Sequence, residues 1–234
     1  KLTHSYCLGV YPTLDLIKYK PQNVIQVILH SLAYKNAGVQ EIIKLAKKNK
    51  IPVNQHDGKI QQLSIKENCL AIGIFSKYNP QLDLNANHIC LIEPRDMGNL
   101  GTIIRTSVGL NISNLAIVKP AADIFDPKVI RSAMGALFQI NFQYFESINH
   151  YFKVHQTRNN YAFSLNNAQK ISDVKFTPPF TLIFGNESSG IPNEVSQFAQ
   201  FIKIPQSHKI DSFNLSVSAG IAIYSAAIQN NLIK

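Results

Sequence analysis

Three stretches combine glycine with side chains able to do chemistry. The first, E-P-R-D-M-G-N-L-G-T-I-I-R at 93–105, has Gly98 and Gly101, where backbone can approach a ligand closely. Asn99 is placed to cap a following helix, whose free N–H groups suit an anion. Arg105 follows Gly101 by four residues, about one helical turn, and is one of four arginines in the chain. The second stretch, F-G-N-E-S-S-G-I-P at 184–192, sets Glu187 among small residues, where it can accept hydrogen bonds from ribose hydroxyls or from an arginine. The third, I-P-Q-S-H-K-I-D-S-F-N-L-S-V-S-A-G at 204–220, leads into an apolar helix that Asp211 or Ser212 can cap. Asn214, Ser216 and Ser218 enter that helix as polar residues that either bond backbone or face a ligand.

Other chemistries find little support. The first stretch does not read G-x-G-x-x-G, and no acid sits about 20 residues on at the end of the next strand, so a nicotinamide site is not indicated. No serine lies in G-x-S-x-G, and no P-loop lysine motif occurs. The histidines (4, 30, 56, 88, 150, 155, 208) form no H-x-x-x-H pair and no cluster with cysteine, so no metal site is expected. Cys7, Cys69 and Cys90 lie far apart in sequence and are expected as free thiols of a cytosolic protein.

The elements that must position these stretches alternate between strand and helix. Val24–His30 reads as a strand, Val39–Lys48 as an amphipathic helix with Lys44, Lys47 and Lys48 outside, Ile51–Gln55 as a short strand, Lys59–Leu63 as a small helix and Cys69–Phe75 as a buried strand. The polar stretch 76–88, with Pro80 and three asparagines, breaks the pattern. Strands are expected again at Ile89–Glu93, Leu115–Val118, Phe142–Phe145, Tyr161–Ser164, Thr181–Phe184 and Phe201–Ile204. Helices are expected after Asn99, over Val129–Leu137, around 147–157, over Pro192–Ala199 and over Ser212–Asn230. Such alternation predicts an α/β protein with a parallel sheet, and the three stretches each follow a strand, where ligands of open α/β sheets bind.

The chain has 234 residues, 45% of them hydrophobic, enough for a core and for one large or two small domains. No apolar run reaches the roughly 18 residues of a membrane helix. No charged–apolar–small leader opens the sequence, and its first residue, Lys1, is compatible with a trimmed leader. The net charge of +9 is uneven: residues 1–78 hold eleven lysines against four acids, net +7, and the remainder is nearly balanced. A lysine-rich module beside a near-neutral one suits delivery of a phosphate-backbone substrate to a separate site, although a solvated lysine-rich surface gives the same count. The boundaries expected are 1–78, a linker at 79–88, and 89–234.

Taken in order, the stretches resemble the signature motifs of the SpoU (TrmH-type) RNA ribose 2′-O-methyltransferases of the SPOUT superfamily. N-L-G-T-I-I-R-T-S at 99–107 is similar to the first motif, F-G-N-E-S-S-G at 184–190 to the second and I-P-Q-S-H-K-I-D-S-F-N-L-S-V-S at 204–218 to the third. K-V-I-R-S-A-M-G-A-L at 128–137 is also similar to a family segment, and residues 1–78 resemble the L30e-like substrate-binding domain that many members carry. The resemblance implies a C-terminal trefoil knot, which base rates alone would never suggest. It further implies a homodimer and S-adenosyl-L-methionine as cofactor, held by backbone at Gly185, Ile204 and Phe213. Asn99, Arg105, Glu187, Asn214 and Ser216 would form the catalytic set, with Arg131, Lys44, Lys47 and Lys48 against RNA.

Two departures stand out. Phe213 occupies a place often held by leucine, and the first module reads K-E-N-C-L-A-I-G at 66–73 where relatives have a His-Gln-Gly stretch. The expected substrate is large-subunit, 23S-type ribosomal RNA in a bacterial cytoplasm, with tRNA as the alternative. Two rivals stand beside it: a non-catalytic RNA-binding protein that keeps the scaffold, for example as a ribosome-assembly factor, and a nucleotide-binding α/β enzyme acting on small molecules.

Overall fold

The computed structural model describes residues 3–64, 68–165 and 168–233. Lys66 and Glu67 of the departing stretch lie outside them. The chain forms two compact units, residues 1–78 with 123–139, and residues 79–122 with 140–234.

The first unit contains strand β1 (His4–Leu8), helix α1 (Val10–Tyr19), β2 (Val24–Leu29), α2 (Ala37–Lys48), β3 (Val53–Gln55), α3 (Asp57–Leu63) and β4 (Ala71–Ser76). Neither β1 nor α1 stood out in the sequence, because Pro12 and two tyrosines blur the helical period; Pro12 is tolerated because it falls in the first turn. The sheet order is β1-β4-β2-β3, with β4 antiparallel to both neighbours and β2 parallel to β3. Strand alternation splits the apolar residues between two faces: Val27, Leu29 and Ala71 pack with Leu14, Ile17, Val39, Ile42 and Ala46, while Ile28 and Ile72 pack with Ile60 and Cys69. Helix α2 is capped by Asn36, whose Oδ1 accepts the Val39 N–H at 3.2 Å.

Residues 123–139, expected with the second segment, belong to this first unit. Here α5 (Pro127–Ala133) ends at Met134 in the left-handed region, so the helix expected over Val129–Leu137 is broken and a 3-10 turn, Ala136–Gln139, follows. Fully buried Phe75 packs edge-on against Phe125 and Phe138, and Ser5 Oγ donates to the Phe125 carbonyl at 2.6 Å.

The second unit is built on β5 (His88–Ile92), α4 (Met97–Gly109), β6 (Asn114–Val118), β7 (Asn141–Phe145), α6 (Ile148–Val154), β8 (Asn159–Phe163), β9 (Gln169–Lys170), β10 (Phe180–Phe184), β11 (Gln200–Lys203) and α7 (Leu215–Gln229). Its seven strands run parallel in the order β7-β6-β5-β10-β8-β11-β9, as the alternating pattern predicts. Helix 192–199 of the sequence reading is instead a 3-10 turn, Asn193–Gln197, behind Pro192. No helix of the described residues is long and apolar enough to cross a membrane.

The stretch expected as a linker is fastened to this unit. Leu82 is buried with Cys90, Ile92 and Phe145, Asp83 N–H donates to Asn114 Oδ1 at 2.9 Å, and Phe180 N–H donates to Asn87 Oδ1 at 3.1 Å. Buried Arg158 donates to the carbonyls of Leu84 (2.8 Å), Ala86 and Phe180 (3.1 Å). Its Nε also donates to Thr181 Oγ1 at 3.1 Å, and a directed chain starts there. With the Asp83 carbonyl able only to accept, a neutral His88 donates to it from Nε2 at 2.8 Å and accepts from the Tyr151 hydroxyl at Nδ1 (3.0 Å), and the Thr181 hydroxyl in turn donates to the Tyr151 oxygen at 2.7 Å.

Burial first, and the Arg158 charge second, push His88 from 6.5 down to about 3 and the adjacent His155 down to about 4. Above pH 6.5 both folded and unfolded chains hold these imidazoles neutral. Below it the unfolded chain takes up protons that the folded chain refuses, so stability falls as pH drops from 6.5 toward 4. The expected slope is up to about 1.4 kcal/mol per pH unit for each histidine. Urea unfolding at pH 8, 7, 6 and 5 checks this; a plateau persisting down to pH 5 would refute it.

Candidate functional site

Loops after β5 and β10, neighbours in the sheet, meet at its carboxyl edge. They line an open cleft of about 770 Å³ with Glu93, Arg95, Asp96, Asn99, Asn186, Glu187, Ser188 and Ser189. Asn99 Nδ2 donates to Glu187 Oε1 at 3.1 Å, which joins the first and second stretches directly. The N-cap of α4 is Asp96, not Asn99: Asp96 Oδ1 accepts the Asn99 N–H at 2.6 Å. The helix therefore starts earlier than the sequence suggested, and the Asn99 side chain is released to face Glu187.

Asn186, to which no role was given from the sequence, organises the cleft. Its Oδ1 accepts the N–H groups of Ser188 (2.9 Å) and Ser189 (3.2 Å), an Asx turn, and its Nδ2 donates to the Glu93 carbonyl at 2.9 Å. Glu93 has φ 50°, a left-handed conformation that costs a non-glycine residue of order 1 kcal/mol or more. The clamp holds it there. An asparagine two residues before two serines was the available signal for the turn; its grip on another strand's end was not readable.

Gly185 is also explained by the loop. Asn186 and Gly190 exchange backbone hydrogen bonds of 2.9 and 3.1 Å, and a Cβ at Gly185 would overlap the Gly190 backbone. Gly190 itself, at φ +68°, turns the chain back.

The third stretch follows β11, separated from β10 by β8. Helix α7 is capped by Asn214 rather than Asp211 or Ser212: Asn214 Oδ1 accepts from Ser216 N–H (2.8 Å) and Ser216 Oγ (2.7 Å). Asn214 and Ser216 are thus brought together. Between Ile204 and Phe213, both partly buried, the Gln206 amide donates to the carbonyls of Ile210 (3.3 Å) and Asp211 (2.8 Å). Its Oε1 is buried with no partner among the described residues.

Arg105 is exposed on α4, and six residues along a helix turn it to another face from Asn99. It adjoins the α4–α7 packing, where Thr106 lies 4.0 Å from the position a Gly220 Cβ would take. The residues expected against RNA all lie in the first unit: Lys44, Lys47 and Lys48 exposed along the second half of α2, Arg131 exposed on α5. Among the described residues no cluster of metal ligands occurs.

A model of the SpoU rRNA Methylase family matches residues 86–224. The chain belongs to this family of methyltransferases. A Geobacillus stearothermophilus protein named as a tRNA (cytidine(34)-2′-O)-methyltransferase is 28% identical over 152 residues, covering 62% of this chain and 96% of that protein. The 23S rRNA (uridine(2479)-2′-O)-methyltransferase of Streptomyces viridochromogenes is 28% identical over 144 residues, 58% of this chain and 50% of that one. Among solved structures, the SpoU methyltransferase AviRb of Streptomyces viridochromogenes, in complex with AdoMet, superposes with a TM-score of 0.85 at 20% identity, over 98% of this chain and 91% of that one.

For such an enzyme Asn186→Ala should lower kcat/KM about ten- to hundredfold by loosening the cleft. Asn186→Asp, which keeps the turn but loses the donor to Glu93, should sit between it and the parent. Steady-state methyl transfer reads this; an unchanged rate in the alanine variant would confine Asn186 to a structural role.

Proposed function

We propose that this protein is an S-adenosyl-L-methionine-dependent RNA 2′-O-ribose methyltransferase that acts on 23S-type ribosomal RNA. The observation that carries the reading is the hydrogen-bonded Asn99–Glu187 pair, which joins the first and second stretches at the carboxyl edge of a parallel sheet. The reading for ribosomal RNA draws on the relative named for 23S rRNA, 28% identical over 58% of this chain, and on the lysine-rich first 78 residues; the tRNA-named relative, matched over 96% of its length, accounts for 62% of this chain.

The residues suit the cofactor. Gln206 Oε1 is an orphaned acceptor in the loop between Ile204 and Phe213, fit for an N–H donor such as an adenine amine. Gly185, Ile204 and Phe213 would contribute backbone. S-adenosyl-L-methionine supplies a methyl group activated on a sulfonium. Glu187, with Oε1 fixed by Asn99, orients a ribose hydroxyl through its other oxygen. The Arg105 guanidinium stabilises negative charge developing on the 2′-oxygen rather than acting as a base. Asn214 and Ser216 set the entrance of α7. Arg131 and the α2 lysines meet phosphate, which makes binding salt-sensitive. The C-terminal segment that carries α7 is read as knotted, and the protein as cytoplasmic.

A homodimer is part of this reading. Val217, Ile221, Tyr224 and Ile228 are exposed on α7 at spacings of four, three and four, one continuous apolar stripe opposite buried Ala219, Ala222, Ile223 and Ala226. Ile221→Lys with Tyr224→Lys should convert a dimer to monomer in sedimentation velocity; a parent already monomeric at micromolar concentration would remove the claim.

The central test is methyl transfer from radiolabelled S-adenosyl-L-methionine to RNA fractions lacking prior modification, with the labelled ribose mapped by nuclease digestion. Label at a 2′-oxygen of ribosomal RNA supports the proposal. Label in tRNA overturns the substrate, and no label with no cofactor binding overturns the activity.

A further inference from the structure

The two most exposed large apolar side chains of the described residues, Leu32 (77%) and Tyr11 (72%), lie at one end of the first unit. Topology puts them there. Strands β1 and β2 are both antiparallel to β4, and β3 is parallel to β2, so all three finish at the same edge. Tyr11 follows β1 as the second residue of α1, Leu32 and Tyr34 follow β2 in the 3-10 turn Ser31–Lys35, and His56–Lys59 follows β3.

The loops of this edge are tied into one platform. Ser31 donates through N–H (2.7 Å) and Oγ (2.6 Å) to the two oxygens of Asp57, and those bonds hold the Asp57 carboxyl below its usual range. Val10 abuts Gly38 at the start of α2, which seats Tyr11 beside the Ser31–Asn36 loop. The Tyr34 carbonyl accepts from Gln40 Nε2 at 2.5 Å. His30 and His56 each accept a backbone N–H at Nδ1, from Leu32 (3.1 Å) and Lys59 (3.2 Å), which in the neutral ring leaves Nε2 to carry the proton as a donor. Lys35 and Lys59 stand exposed alongside.

Two tyrosines and a leucine left in water on a preorganised edge, flanked by lysines in a unit of strong positive charge, match the chemistry that holds splayed bases and their phosphates. We infer that this edge, through Tyr11, Leu32 and Tyr34 with Lys35 and Lys59, docks an unpaired segment of RNA by base stacking. The inference rests on the RNA-modifying activity proposed above and deepens it. It sets the base-contacting surface apart from the phosphate-facing Lys47 and Lys48, which lie at the other end of α2, about 17 Å from its cap. A duplex offers no base faces and gains nothing from these rings.

The test is fluorescence anisotropy of the full chain with a labelled unpaired oligoribonucleotide and with an RNA duplex of the same length. Tyr11→Ala and Tyr34→Ala should each weaken the unpaired probe about tenfold, with Tyr→Phe at either position within about twofold of the parent. Duplex affinity should not follow. The inference is overturned if the tyrosine variants bind like the parent, if the duplex suffers equally, if only Lys47→Gln with Lys48→Gln weakens the unpaired probe, or if the parent binds neither probe. S-adenosyl-L-methionine binding, read by calorimetry on the same proteins, separates the claims. A parent that binds no cofactor yet loses RNA on tyrosine replacement defeats the proposed activity and leaves the docking edge standing.

Discussion

Arg105→Ala should reduce methyl transfer by at least two orders of magnitude while the affinity for S-adenosyl-L-methionine stays within about twofold. A side chain that meets charge only as it develops contributes to the transition state and not to cofactor binding, and loss of one such donor typically costs 10²–10³ in rate. The side chain is exposed on α4, so its removal should change stability by no more than about 0.5 kcal/mol. Arg105→Lys keeps the charge but loses the planar fork, and should recover part of the rate. Single-turnover methylation with saturating cofactor, together with calorimetric binding, measures both quantities. Activity within about tenfold of the parent, a barrier change of roughly 1.4 kcal/mol, would take Arg105 out of the reaction.

The second large effect concerns stability. Arg158→Met should destabilise the fold by about 3 kcal/mol or more, because it leaves the carbonyls of Leu84, Ala86 and Phe180 and the Thr181 hydroxyl without their donor. Burial lowers the Arg158 guanidinium from its ordinary value, Tyr151 and Asp83 offset part of that shift, and the oxygens that accept its hydrogen bonds are those of neutral carbonyls and a hydroxyl. The same variant removes the positive charge that helps keep His88 and His155 neutral, so its stability should fall less steeply below pH 6.5 than the parent's. Urea denaturation at two pH values gives both numbers. An Arg158→Met protein as stable as the parent would show that the 84–86 segment finds other partners.

The sequence carried the parallel sheet and two of the three loops because those depend on local pattern. Short apolar runs such as ICLIE and TLIF, closed by glycine or a turn, announce buried strands regardless of what lies beside them. The pairing of Asn99 with Glu187 was legible as motif order but not as a contact, since 88 residues separate them. Helix caps were misplaced by two or three residues, at Asp96 instead of Asn99 and at Asn214 instead of Asp211, because several good capping residues stand in a row and only backbone geometry chooses among them. Asn186 stayed hidden for the same reason that makes it useful: its partner, the Glu93 carbonyl, is a backbone atom and leaves no mark in side-chain pattern. The assignment of 123–139 was invisible too, since packing of Phe125 and Phe138 on Phe75 is tertiary and has no period.

That last segment has a consequence for biosynthesis. The first unit holds Phe75 against Phe125 and Phe138, and Lys77 against Asp123 at 2.7 Å, so its core closes only with chain made long after β4. On a ribosome that releases the chain from its amino end, residues 1–78 emerge first and must wait, partly uncovered, while β5, α4 and β6 are translated. A nascent chain arrested with residue 100 exposed should be readily cut by protease within its first unit, and one arrested with residue 145 exposed should resist. The early part of this protein is therefore a dependant of the later part during synthesis, and a chaperone with affinity for exposed aromatic surface would find its client in that interval.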